Sequence, residues 1–328
     1  MSRPRLLVLT LGGTISMVPD SGRGLAPRLG AAELLGAVPG LAEVAEIEAH
    51  SLLGLPSPSL GKHHLVEVAQ RIEAAFGQDP GFDGAVVVQG TDTIEESAFI
   101  LDLLVPGERP VVVTGAMRPA SAPGADGPAN LLAAAQVAAA PAARGLGTLV
   151  VLNDEIHAAR HVHKGHTALP SAFLSPNGGP IGLVAEGRVR IWARPPRLPC
   201  LPSQGGPPRP VALLPVALGG DGRMVEAVEG LGYAGLVLEG MGAGHVPAEV
   251  APLLGHLAQR LPVVLASRCL AGPVFTRSYG YPGGEIDLLG RGLIPAGMLS
   301  GPKARLLLGL VLRDGGCSAA AAAFAPYQ

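Results

Sequence analysis

Aromatic side chains are scarce in this 328-residue chain, where six Phe, four Tyr and one Trp make up 3% of the residues. The core must therefore be built from Leu, Val and Ala. Charge is scarce too: Asp, Glu, Lys and Arg total 15%, the net charge is −2, and Lys and Arg form no dense run. That leaves no electrostatic footprint for nucleic acid or for an anionic membrane surface. The three cysteines, Cys200, Cys269 and Cys317, are far apart and odd in number, which excludes a disulfide scaffold and suits buried thiols in a reducing compartment. No segment reaches the roughly 20 uninterrupted apolar residues of a membrane helix. The Ala-rich stretch 129–143 is broken by Asn130, Gln136 and Pro141 and reads as a helix of a water-soluble protein. Arg3 and Arg5 ahead of an apolar run imitate a secretory signal, but Gly12 and Gly13 interrupt the run and no Ala-x-Ala site follows. The reading is the first core strand of a cytoplasmic protein.

Apolar residues are plentiful, at 48%. At 328 residues the chain exceeds the roughly 250 to 300 that one hydrophobic core supports, so two domains are expected. Short apolar runs alternate with longer amphipathic ones, the pattern of βα units around a parallel sheet buried on both faces. Strands are expected over 6–11, 85–89, 110–114 and 148–153, and helices over 31–37, 62–76, 94–104 and 127–140. A hairpin over 182–191 turns at Glu186-Gly187. Prolines then recur at 195, 196, 199, 202, 207, 208 and 210, which rules out helix and central strand and indicates a semi-rigid linker. The expected organisation is a two-domain α/β protein: a larger, mostly parallel N-terminal sheet domain over 1–193, a linker over 194–210, and a smaller α/β domain over 211–328. The second domain restarts with strands over 211–218, 235–238 and 262–266, separated by helices over 224–231 and 248–260 and closed by helices over 302–313 and 318–325.

Two segments share one design, an apolar strand running straight into glycine and threonine. The first ends Leu11-Gly12-Gly13-Thr14-Ile15, and the second Gln89-Gly90-Thr91-Asp92-Thr93-Ile94-Glu95-Glu96. Ligands of open α/β sheets bind at strand ends, and glycine there admits backbone N–H groups close to a substrate. A threonine hydroxyl is a weak nucleophile until a base or cation helps to remove its proton. Thr14 has no acid or base within five residues, so its activator must come from elsewhere in the fold, whereas Thr91 has Asp92 beside it. A single such threonine would be read as a helix or turn cap. Two of them in one chain suggest a nucleophile site, with backbone N–H groups at Gly13-Thr14 and Gly90-Thr91 as oxyanion donors, each contact worth about 3–4 kcal/mol when removed.

With Thr114-Gly115-Ala116-Met117-Arg118-Pro119 and Ala125-Asp126-Gly127-Pro128 further on, these blocks resemble the bacterial-type L-asparaginase (asparaginase/glutaminase) family over nearly the whole chain. The resemblance implies an amidohydrolase without cofactor or metal, in which Thr14 attacks the side-chain amide of L-asparagine, releases ammonia and forms an aspartyl ester. It adds Lys164 to Thr91 and Asp92 as a proton-transfer cluster that activates water to open the ester. For the amino-acid substrate, Asp92 is the expected ammonium partner, Ser57 matches the family's carboxylate-binding serine, and Gln89 and Gly13 line the same turns. Glu285 matches an acidic residue that the family draws from a neighbouring subunit, and His245 falls where it has a small polar substrate contact. The site then requires a homo-oligomer, a dimer or a tetramer, with no nucleic-acid or membrane partner.

Three positions depart from the family pattern. Gly24 or Leu25 stands where a mobile-loop tyrosine is usual, Pro58 follows Ser57 where a polar group is common, and His245 is larger than expected. Tyr279 and Tyr281, close to Glu285 in sequence, are candidates to replace the missing phenol. Two other readings remain open: an amidohydrolase preferring glutamine or another ω-amide, and a weakly active aspartate- or asparagine-binding protein. His157, His161, His163 and His166 make a dense cluster with zinc-like spacing, but no accompanying Cys or third-ligand motif. They read as a solvated loop ahead of a metal-dependent amidase. Gly219-Gly220-Asp221-Gly222 reads as a turn.

Overall fold

The structure, a computed structural model, describes residues 3–13, 15, 17–20, 24–27, 30–314 and 317–328, with main chain only at 17–20, 24–27, 32, 314 and 317. Contacts divide the chain into two compact units, Met1–Ser203 and Gln204–Gln328.

The strands of the first unit are β1 (Arg5–Thr10), β2 (Met17–Asp20), β3 (Gly24–Pro27), β4 (Glu46–Ser51), β5 (Gly84–Val88), β6 (Val111–Thr114), β7 (Thr148–Leu152), β8 (Glu155–Ala158), β9 (His163–Lys164), β10 (Phe173–Leu174), β11 (Gly182–Ala185) and β12 (Arg188–Ile191). Its helices are α1 (Ala31–Gly36), α2 (Leu41–Val44), α3 (Lys62–Phe76), α4 (Ile94–Leu104) and α5 (Gly127–Ala139). Eight strands form one sheet in the order β12-β11-β8-β7-β6-β5-β1-β4. From β4 to β7 the pairing is parallel, and from β7 to β12 antiparallel.

The parallel half follows from composition. Every residue of β5, β6 and β7 is buried, as a sheet covered by helices on both faces requires. On α3 the buried Leu65, Val68, Ala69 and Ile72 fall at i, i+3, i+4 and i+7, a single apolar stripe. Small residues replace the missing rings: α5 buries Ala133, Ala134, Ala135 and Ala138, and a Cβ at Gly84 would overlap the Ala138 carbonyl, so helix and strand lie in direct contact.

The sheet changes sense at Asn153-Asp154. Both residues take left-handed backbone angles (φ 52° and 62°), the geometry of a two-residue hairpin turn whose twist matches the strands it joins. The chain therefore doubles back as β8 without a crossover helix. This overturns the reading of a solvated histidine loop at His157, which sits in β8 and is fully buried, while His166 is exposed.

The first part of the proline-rich stretch is fastened to this unit. Arg194 donates to the Ala142 and Arg144 carbonyls, Arg197 pairs with Asp102 at 3.0 Å, and the Leu201 N–H reaches the Leu103 carbonyl.

In the second unit, β13 (Ala212–Pro215), β14 (Leu236–Gly240), β15 (Val263–Ser267) and β16 (Ile294–Pro295) pair in parallel in sequence order. With them go α6 (Arg223–Gly230), α7 (Ala251–Ala258), α8 (Glu285–Gly290), α9 (Gly301–Asp314) and α10 (Cys317–Phe324). Its core includes Leu236, Leu238, Leu254, Leu257, Val263, Leu265 and Leu288. The chain is thus a two-domain α/β protein, with a larger, mostly parallel N-terminal sheet and a smaller parallel C-terminal one. Among the described residues no helix is long and apolar enough to cross a membrane.

Candidate active site

The two glycine-threonine turns meet at the carboxyl end of the parallel sheet. Strands β1 and β5 are neighbours in register, with Thr10 opposite Val88, and the Leu11 N–H donates to the Val88 carbonyl at 2.8 Å. Beyond that bond the two backbones touch. Gly13 takes a φ of +94° and a Cβ on it would overlap Gly90, so only glycine allows these turns to close on each other. Thr14 lies outside the described residues.

After Gly90 the chain makes one 3-10 turn, Thr91–Thr93, and enters α4. Ser57, at the head of another short 3-10 turn, locks onto it. Its hydroxyl accepts the Asp92 N–H at 3.2 Å, and the Thr93 hydroxyl donates to the Ser57 carbonyl at 3.2 Å. The buried Gln89 amide donates to Thr93 Oγ1 at 3.2 Å and to the Gly90 carbonyl at 3.3 Å, while its Oε1 has no hydrogen-bond partner in the structure.

Lys164 arrives from β9. Its Nζ donates to Thr91 Oγ1 at 2.9 Å and to Asp92 Oδ1 at 2.6 Å. Charge-assisted contacts this short hold an ammonium firmly and give a proton a defined route. Thr91 is buried, whereas the Asp92 side chain is 60% exposed and keeps lone pairs open to solvent. The structure therefore brings Gly13, Ser57, Gln89, Thr91, Asp92 and Lys164 into one cluster.

Two further residues belong to it that the sequence left unassigned. Glu95, in the first turn of α4, places Oε2 3.0 Å from His163 Nδ1 and 3.3 Å from the Lys164 N–H. The sequence offers Glu95 only as a charged residue in the first turn of the helix expected over 94–104, yet its side chain is only 19% exposed. A usable signal was its spacing, four residues after Thr91 and so one helical turn along the same face.

The four clustered histidines have separate partners. His157 Nδ1 is 2.9 Å from Ser175 Oγ, His163 meets Glu95, His161 Nε2 accepts from Arg160, and His166 Nδ1 accepts from the Ala168 and Leu169 N–H groups. Burial lowers the His157 pKa to about 4, so the ring is neutral at ordinary pH. Its Nε2 lies 3.4 Å from Glu155 Oε2 without a hydrogen bond, and with a neutral ring this proximity is no ion pair. Burial also raises the pKa of Glu155.

His245 and Glu285 come together in the second unit. His245 follows β14 in a tight turn that bridges back to Met241, and its Nε2 is 3.2 Å from Glu285 Oε2. Glu285 Oε1 accepts the Ser278 N–H at 2.7 Å and the Tyr279 N–H at 2.8 Å. Burial would raise its pKa, but the Tyr279 and Ser278 N–H groups and His245 outweigh it and hold the carboxyl below its usual range. Glu285 is fully buried, and His245 is the more exposed member of the pair. The Tyr279 and Tyr281 rings stand edge-on to the imidazole, with centroids 4.9 and 5.6 Å away.

Comparison with known proteins bears on both units. The family model described as asparaginase, N-terminal, matches residues 5–197, and that of the glutaminase/asparaginase C-terminal domain matches residues 210–323. The chain is 42% identical over 335 residues to a probable L-asparaginase of Deinococcus radiodurans, spanning 97% of this chain and 95% of that protein. It is 36% identical over 310 residues to an L-asparaginase of Bacillus licheniformis, spanning 94% and 95%. The crystal structure of a probable cytoplasmic L-asparaginase from Campylobacter jejuni matches with a TM-score of 0.87 at 30% identity, over 98% of this chain and 99% of that chain.

Proposed function

The chain belongs to the asparaginase family, and from that premise we propose that it hydrolyses L-asparagine to L-aspartate and ammonia. The observation that carries the reading is Lys164 Nζ held between Thr91 Oγ1 and Asp92 Oδ1 where the two glycine turns meet. Thr14 Oγ attacks the side-chain amide carbon, the C–N bond breaks, and the proton lost from the Thr14 hydroxyl ends on the nitrogen, which leaves as ammonia. The product is an aspartyl ester on Thr14. Water then attacks the ester carbon and passes a proton to Thr91, which gives its own to the neutral amine of Lys164 beside Asp92; the ester C–O bond breaks and Thr14 Oγ regains a proton. Backbone N–H groups beside Gly13 and Gly90 receive the negative charge that develops on the carbonyl oxygen in both steps.

Ser57 and Asp92 take the α-carboxylate and α-ammonium of the substrate, with Gln89 and Gly13 forming the floor. The protein works in the cytoplasm as a homo-oligomer, a dimer or tetramer, in which a second copy brings His245, backed by Glu285, to the substrate.

The test is ammonia release from L-asparagine, with L-glutamine in parallel, by the wild type and by Thr14→Ala. Release from asparagine that disappears in the variant is expected. Release from glutamine alone redirects the substrate, and silence of folded wild type toward both amides overturns the amidase reading.

A further inference from the structure

Lys164 is held at its tip by Thr91 and Asp92, but its main chain has weak local support. Strand β9 is two residues long and pairs with the two residues of β10, Lys164 opposite Phe173 and His163 opposite Leu174, with one further bond from the Gly165 N–H to the Ala172 carbonyl at 2.7 Å. The chain from Gly165 to Leu169 is exposed. A lysine side chain has four rotatable bonds, so a loosely rooted one would sample many positions for Nζ.

The root is fixed by a group outside β9. Glu95 Oε2 accepts the Lys164 N–H at 3.3 Å and faces His163 Nδ1 at 3.0 Å. At that distance the imidazole and the carboxylate attract each other whenever the ring is protonated. Glu95 belongs to the first turn of α4, directly after the turn that carries Thr91 and Asp92. Both ends of Lys164 are therefore tied to one short stretch of chain, Nζ through Thr91 and Asp92, and the main chain through Glu95. His157 adds a second tie, because Ser175, which its ring holds, directly follows β10.

We propose that Glu95, with His163, is a positioning residue for the reaction: it fixes the main chain of β9 and thereby sets where Lys164 Nζ stands between Thr91 and Asp92. This rests on the amide-hydrolysis reading above. Displacing a catalytic group by about 1 Å costs on the order of 100-fold in rate. Loss of the tie should thus appear in kcat, while KM, set by other groups, stays near its wild-type value.

The experiment measures kcat and KM for L-asparagine in the wild type, Glu95→Ala, Glu95→Gln, His163→Leu and His163→Asn, and repeats Glu95→Ala in a Lys164→Ala background. Thermal midpoint and elution volume verify the fold of each. Glu95→Ala is expected to lower kcat ~10- to 100-fold with KM within about twofold. Glu95→Gln keeps a carbonyl oxygen that accepts the Lys164 N–H, and His163→Asn keeps a polar group facing it, so both should retain most of the activity. If the Ala variant does not fold, His163→Leu carries the comparison, with a smaller loss of about 3- to 10-fold in kcat alone. In the Lys164→Ala background, removal of Glu95 should change turnover less than twofold, because its effect passes through the lysine. Wild-type kcat in folded Glu95→Ala, or an equal loss with and without Lys164, overturns the proposal and leaves the amidase reading standing. An inactive wild type overturns both.

Discussion

A carboxylate beside an amine or imidazole occurs in each unit, and the two pairs are built in opposite ways. Asp92 touches Lys164 at 2.6 Å with its side chain 60% exposed. Glu285 meets His245 at 3.2 Å with no exposure, one oxygen filled by two backbone N–H groups and the other facing the imidazole. An exposed carboxylate has lone pairs left for a substrate ammonium and can exchange a proton with water. A buried, saturated one can do neither, and it fixes the geometry of whatever surrounds it. The same chemical group is therefore open to a ligand in the first unit and closed in by its neighbours in the second.

The largest expected effect separates the two on activity. Lys164→Ala should lower kcat about 10²- to 10⁴-fold, the range for a positioned proton-transfer group, with an unchanged unfolding midpoint. A loss of stability to match would show that the Lys164 pair is also architectural.

Next comes Glu285→Ala, read by denaturant unfolding. It strips the Ser278 and Tyr279 N–H groups and His245 of their acceptor, and should destabilise the protein by about 4 kcal/mol. Glu285→Gln, which keeps an acceptor, should recover part of that. An Ala variant as stable as wild type would break the contrast.

His157 sharpens the comparison from the side of buried imidazoles. Its folded pKa of about 4 lies below the 6.5 of an unperturbed ring. Between those values the unfolded chain binds the proton and the folded one does not, so stability rises with pH across that window and is complete above 6.5. The contribution is roughly 3 kcal/mol. His157→Phe should flatten that part of the stability–pH curve, measured by urea titrations at pH 4.5 and 7; an unchanged slope would assign it to other groups.

The smallest effect belongs to a third carboxylate, Asp221, paired with Arg223 on the open surface at 2.6 Å. Solvent screens such a pair. Asp221→Asn should leave both activity and the unfolding midpoint unchanged.

Much of this was legible in the sequence where one residue type dictates one outcome. The uninterrupted Val runs of β5 and β6 could only be strands covered on both faces, and the stripe of α3 only a helix. The glycine-threonine turns announced their role because a Cβ is excluded there. What escaped was set by neighbours distant in sequence. Strand β4, Glu46–Ser51, has no buried residue and an edge position, so neither alternation nor an apolar run marks it. Strand β8 was hidden by the histidine cluster that begins in it at His157, although Asn153-Asp154 between Val151-Leu152 and Ile156 is a hairpin signal of the usual kind. Glu95 looked like one more polar residue on a helix, because its partners on β9 stand 68 and 69 positions later in the sequence.

The Asn153-Asp154 turn also works as a ruler. Side chains of a strand alternate between faces, so one added residue in the turn would exchange the faces of Ile156 and His157 along β8. His157 would lose Ser175, a hydrophobe would occupy a cavity shaped for imidazole, and the strand that delivers Lys164 would begin one residue out of phase. The reach of the lysine to Thr91 is thus measured out some ten residues upstream, at a turn with no chemistry of its own.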